Sequence, residues 1–277
     1  VIGAFGKAMR AADAVGTFAI VFILPEDINI TSGSPRYHRN FLDIYLSQFS
    51  RAYLADLMDY QRVLKQRNAL LKKLKTGKAI DMRQLDVWDD ALIGPAFSIM
   101  AARANFISEI RPRVADVSRL ISRGHDTVDI AYHPRLGIDH EKGTDGAAMT
   151  LRQERDRDVR MGATMLGPHR DVIDITVNNG AVREFGSMGQ KKTVMVAMKL
   201  AAREAISAHR GEPAILVLDE AFAVLDRERE GLLLGLLSGG SESMTAGQVF
   251  LASAVPTGLD DLADVRVFRI EDGEIAS

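Results

Sequence analysis

The sequence predicts an α/β fold with a partly parallel sheet, interrupted by a long helical block. Three observations carry this expectation. "TFAIVFIL" (17–24) and "PAILVLDE" (213–220) are short, continuous apolar runs, the pattern of strands inside a parallel sheet. From about residue 126 onward, strand-like and helix-like stretches alternate, as in a layered α/β protein. Residues 36–125 read as almost entirely helical, so the block looks inserted between parts of the sheet layer. The expected division is one lobe of residues 1–30 and 126–277 and a helical second lobe of 31–125.

The first element is the apolar run at 14–24, "AVGTFAIVFIL". Lys7 and Arg10 precede it, in the manner of a secretory leader. Pro25-Glu26-Asp27 follows at once, with no small-residue cleavage site, and the run is far short of the ~20 apolar residues of a membrane span. A strand buried on both faces is the expectation. The chain begins with Val1 rather than Met, which suggests a fragment.

"TSGSP" (31–35) reads as a turn and a helix start, with Pro35 near the first helical position. Leu42, Tyr45, Phe49, Tyr53, Leu57, Tyr60 and Leu64 recur at steps of three and four, giving one helix face or two helices with a break near Ser50. "RVLKQRNALLKKLKTGK" (62–78) carries Arg62, Lys65, Arg67, Lys72 and Lys73 among its cations and has no acid. It is either a solvated face or a contact to a phosphate backbone. Gly77 ends that helix. A further helical stretch, about 80–123, is expected to be interrupted by Pro95 and Pro112.

"TVDIAYHP" (127–134) alternates as a strand, and "DVIDITVNNGAVREF" (171–185) reads as two strands around a type I′ turn at Asn179-Gly180. Residues 187–209 and 226–237 are expected helices, 247–253 a strand, and 265–276 a hairpin turning at Asp272-Gly273.

Composition bounds the chemistry. At 277 residues, one or two domains with a sizeable core are expected. A formal net charge of -2 does not point to a polyanion partner, yet it leaves room for a local basic face. There is no cysteine, which excludes disulfides, thiolate metal sites and a cysteine nucleophile and favours a reducing compartment. His133 and His140 flank an expected loop and read as surface residues.

The strongest local signal is "AILVLDEAFAVLD" (214–226). A buried strand that delivers Asp219 and Glu220 to its carboxyl end suits a Walker B site, because ligands of open α/β sheets sit at that edge. Asp219 would hold Mg2+ through its water shell and Glu220 would orient or deprotonate the attacking water. Asp226 stands at an expected helix N-cap, where ABC-type sheets place the D-loop. "EFGSMGQKKT" (184–193) resembles a phosphate loop but is not a Walker A loop, since the glycine-lysine register is wrong from both Gly186 and Gly189. It fits a turn feeding a helix N-terminus, with Ser187 as N-cap and backbone amides open for an anion. Serine-x-glycine-glutamine, then strand-Asp-Glu, then Asp226 is the order of signature, Walker B and D-loop in ABC-type ATPases.

At these residues the chain resembles the RecF recombination and repair family. "FILPEDINITSGSPRYHRNFLD" (22–43), "YQRVLKQRNALLK" (60–72), "GPHRD" (167–171), "REFGSMGQKKT" (183–193), "LDEAFAVLD" (218–226) and "VFRIEDGEI" (267–275) are similar to RecF segments, in the same order. "YQRVLKQRNALLK" and "GPHRD" are more specific than any ABC motif and favour RecF over other SMC-like ATPases. The resemblance implies an ABC/SMC-like P-loop ATPase head with an inserted helical lobe. It implies ATP and Mg2+ as cofactors, an ATP-dependent homodimer on DNA (gaps and single-/double-strand junctions), RecR and RecO-like partners, recombinase loading and a cytoplasmic location. By the same resemblance, Ser187, Gly189 and Gln190 touch the γ-phosphate held by the opposite subunit, Asp219 serves Mg2+, Glu220 the water and Asp226 the dimer contact. No G-x-x-x-x-G-K-[ST] occurs, so the head is expected to be incomplete, with Walker A upstream of Val1 and the chain alone inactive as an ATPase. "LASAVP" (251–256) stands where the family carries a threonine-rich stretch ending in Asp, with Ser253 the only polar candidate there. The competing expectations are a non-hydrolysing DNA- or partner-binding scaffold and another SMC-like ABC ATPase. "GPHRD" is left as either a structural turn or a phosphate contact.

Overall fold

The computed structural model describes residues 2–4, 7–9, 11–77, 81–136, 143–219, 229, 231–233, 235, 247–254, 265–271 and 274–276. A small hairpin, β1 (Ile2–Ala4) and β2 (Lys7–Met9), leads into one helical turn, α1 (Ala11–Ala14). β3 (Ile20–Ile23) follows, then the short α2 (Asn29–Ser32). Two helices come next, α3 (Pro35–Phe49) and α4 (Arg51–Lys75). Pro35 takes the first turn, where its missing N–H is not needed. The break falls at Ser50, whose hydroxyl caps α4 by accepting from Tyr53 N at 3.1 Å.

α5 (Gln84–Ile121) is one continuous helix of 38 residues with Pro95 and Pro112 inside it, which corrects the expected interruption. Each internal proline costs about 3 kcal/mol in lost bonding and ring clash. Against that, Leu92, Ala96, Ile99, Met100, Phe106, Ile110, Val114 and Val117 are almost completely buried along the same helix. At about 1.5–3 kcal/mol for a large apolar side chain, the burial outweighs both prolines.

β4 (Val128–His133) leads, through α6 (Gly143–Gln153) and α7 (Arg155–Met161), to β5 (Val172–Val177) and the two-residue β6 (Gly180–Ala181). These three strands form an antiparallel sheet. Its tight turn is centred one residue earlier than expected: Asn178 and Asn179 both have positive φ (52° and 67°), while Gly180 already pairs with Val177. Asparagine tolerates the left-handed region that a type I′ turn demands twice. The second strand then stops, and residues 182–185 form a helical turn, α8 (Val182–Phe185), rather than more strand.

α9 (Met188–Arg210) and β7 (Ile215–Asp219) follow. β8 (Val249–Ala252) and a closing hairpin, β9 (Arg269–Glu271) and β10 (Glu274–Ala276), complete the described elements. The expected turn at Asp272-Gly273 lies outside the described residues, as does most of 226–237, of which residues 229, 231–233 and 235 are helical.

A parallel sheet runs in the order β3-β7-β8, with Ile23 opposite Leu218 and Asp219 opposite Ala252. β3 is not buried on both faces: Val21 and Ile23 are fully covered, but Phe22 is 45% exposed. α9 covers one face only, where Lys199 donates to the Phe22 carbonyl. An apolar run in sequence cannot distinguish that arrangement from a doubly covered strand. One continuous apolar core joins α3, α4 and α5 to both sheets, and a small second cluster of Leu70, Leu71 and Leu85 closes the far ends of α4 and α5.

Candidate functional site

The loop at 184–193 folds as a capped helix start. Ser187 Oγ accepts from Gln190 N (3.2 Å) and Gln190 Oε1 accepts from Ser187 N (2.9 Å), a reciprocal capping box. Gln190 is engaged at both ends of its amide, because Nε2 also donates to Asp126 Oδ1 at 2.8 Å. Its side chain therefore braces the loop against the start of the antiparallel sheet. Gly189 packs beside the tip of Arg229: a Cβ there would displace that guanidinium. Ser187 and its neighbours Phe185 and Met188 are exposed. The first turn of α9 thus presents amides and a positive dipole end to solvent.

Asp219 is the last residue of β7 and is exposed at the carboxyl edge of the parallel sheet, the edge at which ligands of open α/β sheets sit. Glu220 and Asp226 lie outside the described residues. Among the described residues no group of three or more His, Asp or Glu is placed to hold a metal ion. A Mg2+ site needs no such cage, because one carboxylate and the ligand phosphates suffice; Asp219 fits that lesser requirement.

Ser187 and Asp219 lie on different elements of the chain, one at the start of α9 and the other at the end of β7. α9 is pinned alongside the sheet at three points. Arg203 Nε donates to the Ala214 carbonyl and Ser207 Oγ accepts from Ala214 N, both at the entry to β7. At the other edge, Lys199 pairs with Asp27 at 2.7 Å just beyond β3. Burial lowers the Lys199 pKa, which Asp27 opposes. Lys199 therefore marks the level of the carboxyl edge, and Ser187 lies more than three turns further along α9, about 18 Å beyond it. The start of α9 therefore stands beyond the carboxyl edge at which β7 delivers Asp219.

The basic run on α4 splits into two faces. Arg62, Lys65, Lys72 and Lys73 are exposed. At 100° per residue they fall within an arc of roughly 100°. Arg67 points the other way and is corrected here: its guanidinium is wholly buried and cannot reach a nucleic-acid backbone. Its Nε donates to Asp89 (2.6 Å), and its Nη1 donates to Asp158 (2.6 Å) and Thr164 (2.8 Å). Arg155 donates to the other oxygen of Asp89 at 2.6 Å.

"GPHRD" forms a structural turn through Pro168, His169 and Asp171, while Arg170 is exposed. Asp171 is fully buried and accepts from the Tyr132 hydroxyl, Arg103 Nη1 (3.2 Å) and Arg135 N (2.8 Å). Burial pushes its carboxyl up, and these donors oppose the shift. Arg103 also donates to the Pro168 carbonyl (2.7 Å) and to Asp43 (2.7 Å). His169 Nε2 lies 2.9 Å from the Thr164 carbonyl, which can only accept, so Nε2 carries the proton and Nδ1 accepts from the Tyr60 hydroxyl at 2.6 Å. Burial lowers the His169 pKa to about 4. His133, as expected, is exposed and pairs with Asp174 at 3.0 Å; His140 lies outside the described residues.

Sequence reasoning did not single out Lys199, Arg103, Asp126 or Arg229. The first two carried a usable signal, since each is a lone charge in an apolar helical stretch ("VMVAMKLAA" and "MAARANFI"). Asp126 and Arg229 carried none.

No protein-family model matches the chain. Curated proteins do. The chain is 34% identical over 272 residues to the DNA replication and repair protein RecF of Shouchella clausii, covering 96% of this chain and 72% of that protein. It is 33% identical over 272 residues to the protein of that name from Bacillus subtilis, with the same coverage. Solved structures of the recombination mediator protein RecF in the RecFOR pathway, with ATPrS and with ATP, superpose with TM-scores of 0.81 and 0.80 at 25% identity, over 98% of this chain and 71% of theirs. The parallel sheet, the signature-like helix start and the helical block are thus parts of an ABC/SMC-like ATPase fold, and the chain belongs to the RecF family of DNA replication and repair proteins.

Proposed function

We propose that the protein is an ATP-dependent DNA-binding recombination mediator that works as a dimer, with ATP held between the Walker motifs of one subunit and the signature loop of the other. The offset of Ser187 from the level of the carboxyl edge carries this reading, because an exposed helix start displaced from its own sheet edge is placed to meet another subunit's phosphates. In this reading Ser187, Gly189 and Gln190 meet the γ-phosphate, and the capping box keeps that loop in shape. Asp219 holds the Mg2+ that accompanies ATP, Glu220 orients the water and Asp226 lies at the dimer contact. Residues 31–125 serve as the helical lobe and residues 1–30 and 126–277 as the ATPase lobe. RecR and RecO-like proteins at gapped DNA in the cytoplasm are the proposed partners and place of work. The solved relatives described with ATP and ATPrS support the nucleotide assignment.

Expressed at full native length, the protein should be monomeric with ADP and dimeric with ATP in sedimentation velocity. Ser187→Arg should leave ATP binding intact and abolish the dimer. Glu220→Gln should keep the dimer and lose turnover. A native protein that binds ATP yet stays monomeric at micromolar concentration would overturn the reading.

A further inference from the structure

We infer that the outer surface where α4 meets α7 is a phosphate-backbone ridge for duplex DNA, built from Arg62, Lys65, Lys72, Lys73, Lys75 and Arg160. The inference rests on the DNA-binding reading above and adds where the duplex lies. Two helices make the ridge. Gly162, just past the end of α7, abuts α4: a Cβ there would meet Lys75 Cδ at 2.9 Å and Lys72 Cα at 3.8 Å. Lys75 Nζ donates to the Met161 carbonyl at 3.3 Å. The exposed Arg160 therefore stands beside the last two turns of α4, and the cations of the two helices share one surface.

Charge alone does not make a binding face, since most charge runs are merely solvated. What distinguishes this one is the fate of the nearby carboxylates. Asp89 and Asp158 are drawn inward and wholly buried on Arg67. Asp86 is held by Arg155, Asp81 by Arg83 and Asp90 by Arg152. Arg62 is paired with the exposed Asp59 one turn earlier on α4. Lys65, Lys72, Lys73 and Arg160 have no carboxylate within 4.0 Å among the described residues; Asp156 is the one exposed acid on α7 and has no cation there, while Glu154 just before that helix is held by Arg157. Arg67 acts here as a positioning residue: it fastens α7 to α4 and removes two negative charges from the surface. A protein of net charge -2 thereby carries a locally cationic ridge. From Arg62 to Lys75 the ridge runs about 20 Å along α4, enough to follow several phosphates of one duplex strand.

The test is fluorescence anisotropy on a short labelled duplex, with ATP and Mg2+ present, from low to physiological salt. One variant carries Lys65→Gln, Lys72→Gln and Lys73→Gln; a control carries Arg111→Gln and Arg119→Gln on exposed surface elsewhere. All these side chains are exposed, so folding is not at risk. The ridge variant should bind at least about tenfold more weakly, with a slope of log K on log salt shallower by about 3, and the control should change little. If the native protein binds duplex and the ridge variant binds equally well, or the control loses as much, the ridge is wrong while the DNA-binding reading stands. If the native protein binds no duplex at any salt, that reading fails and the ridge with it.

Discussion

Two polar regions of this protein are built in opposite ways. Around Arg67 and Arg103, buried guanidinium groups meet carboxylates, hydroxyls and carbonyls drawn from α3, α4, α5, α7 and the 167–171 turn. At the start of α9, Ser187 and Gln190 satisfy each other, and Ser187 and Met188 face solvent while the next residues are half-buried. The difference separates fold-specifying polarity from ligand-seeking polarity. A buried charge is tolerable only when its partners are already in the protein. A donor meant for a ligand has to be left without one.

The first way to break the comparison carries the largest expected effect. Arg67→Met leaves Asp158 and half of Asp89 buried without their cation. Removing one partner of such a pair costs about 3–5 kcal/mol. The melting temperature should fall on the order of 10 °C. A calorimetric shift of only a degree or two would mean that the network is decoration and that the contrast with α9 is empty.

This contrast also explains which parts were legible in the sequence. "YQRVLKQRNALLK" and "GPHRD" are two of the segments that carry the resemblance to RecF, and they meet in the structure. Tyr60 of the first meets His169 of the second, Asn68 accepts from Thr164, and Arg103 ties Asp171 to Asp43. These motifs specify how the helical block seats on the sheets; they do not line the proposed nucleotide site. The strands and most helix limits were readable because apolar periodicity reports burial directly. The buried Arg67 was not, because a cation in a basic run looks the same from either side of its helix until the partners, far off in sequence, are known. The continuity of α5 through its prolines was hidden for a related reason: local propensity was legible, and the core that overrides it was not.

A second, smaller effect sharpens the comparison through pH. His169 is buried as a neutral base with its pKa lowered to about 4, against 6.5 when unfolded. Between those values the unfolded chain binds the extra proton. The stability this histidine contributes is therefore complete above pH 6.5 and is lost as the pH falls toward 4, by about 2 kcal/mol between pH 7 and pH 5. Urea denaturation at the two pH values should show that loss in the native protein and a smaller one in His169→Gln. Equal losses would place the acid sensitivity elsewhere.

The smallest expected effect on stability tests the other region. Ser187→Ala removes one side of the capping box at a helix end that is exposed and flanked by solvent. Loss of an N-cap serine costs about 1 kcal/mol, far less than the Arg67 change and within reach of denaturant melts. On the proposed function the ranking should invert. Arg67→Met should still form the ATP-dependent dimer at temperatures where it is folded, whereas Ser187→Ala should weaken that dimer strongly while the monomer keeps nearly all its stability. The inversion follows from the geometry: Arg67 spends all its contacts inside the chain, and Ser187 sits at the end of α9 about 18 Å beyond the edge of its own sheet. Should dimerisation by Ser187→Ala fall only in proportion to its lost stability, the start of α9 is an ordinary capped helix, and the division between the two kinds of polarity fails at the place where it matters most.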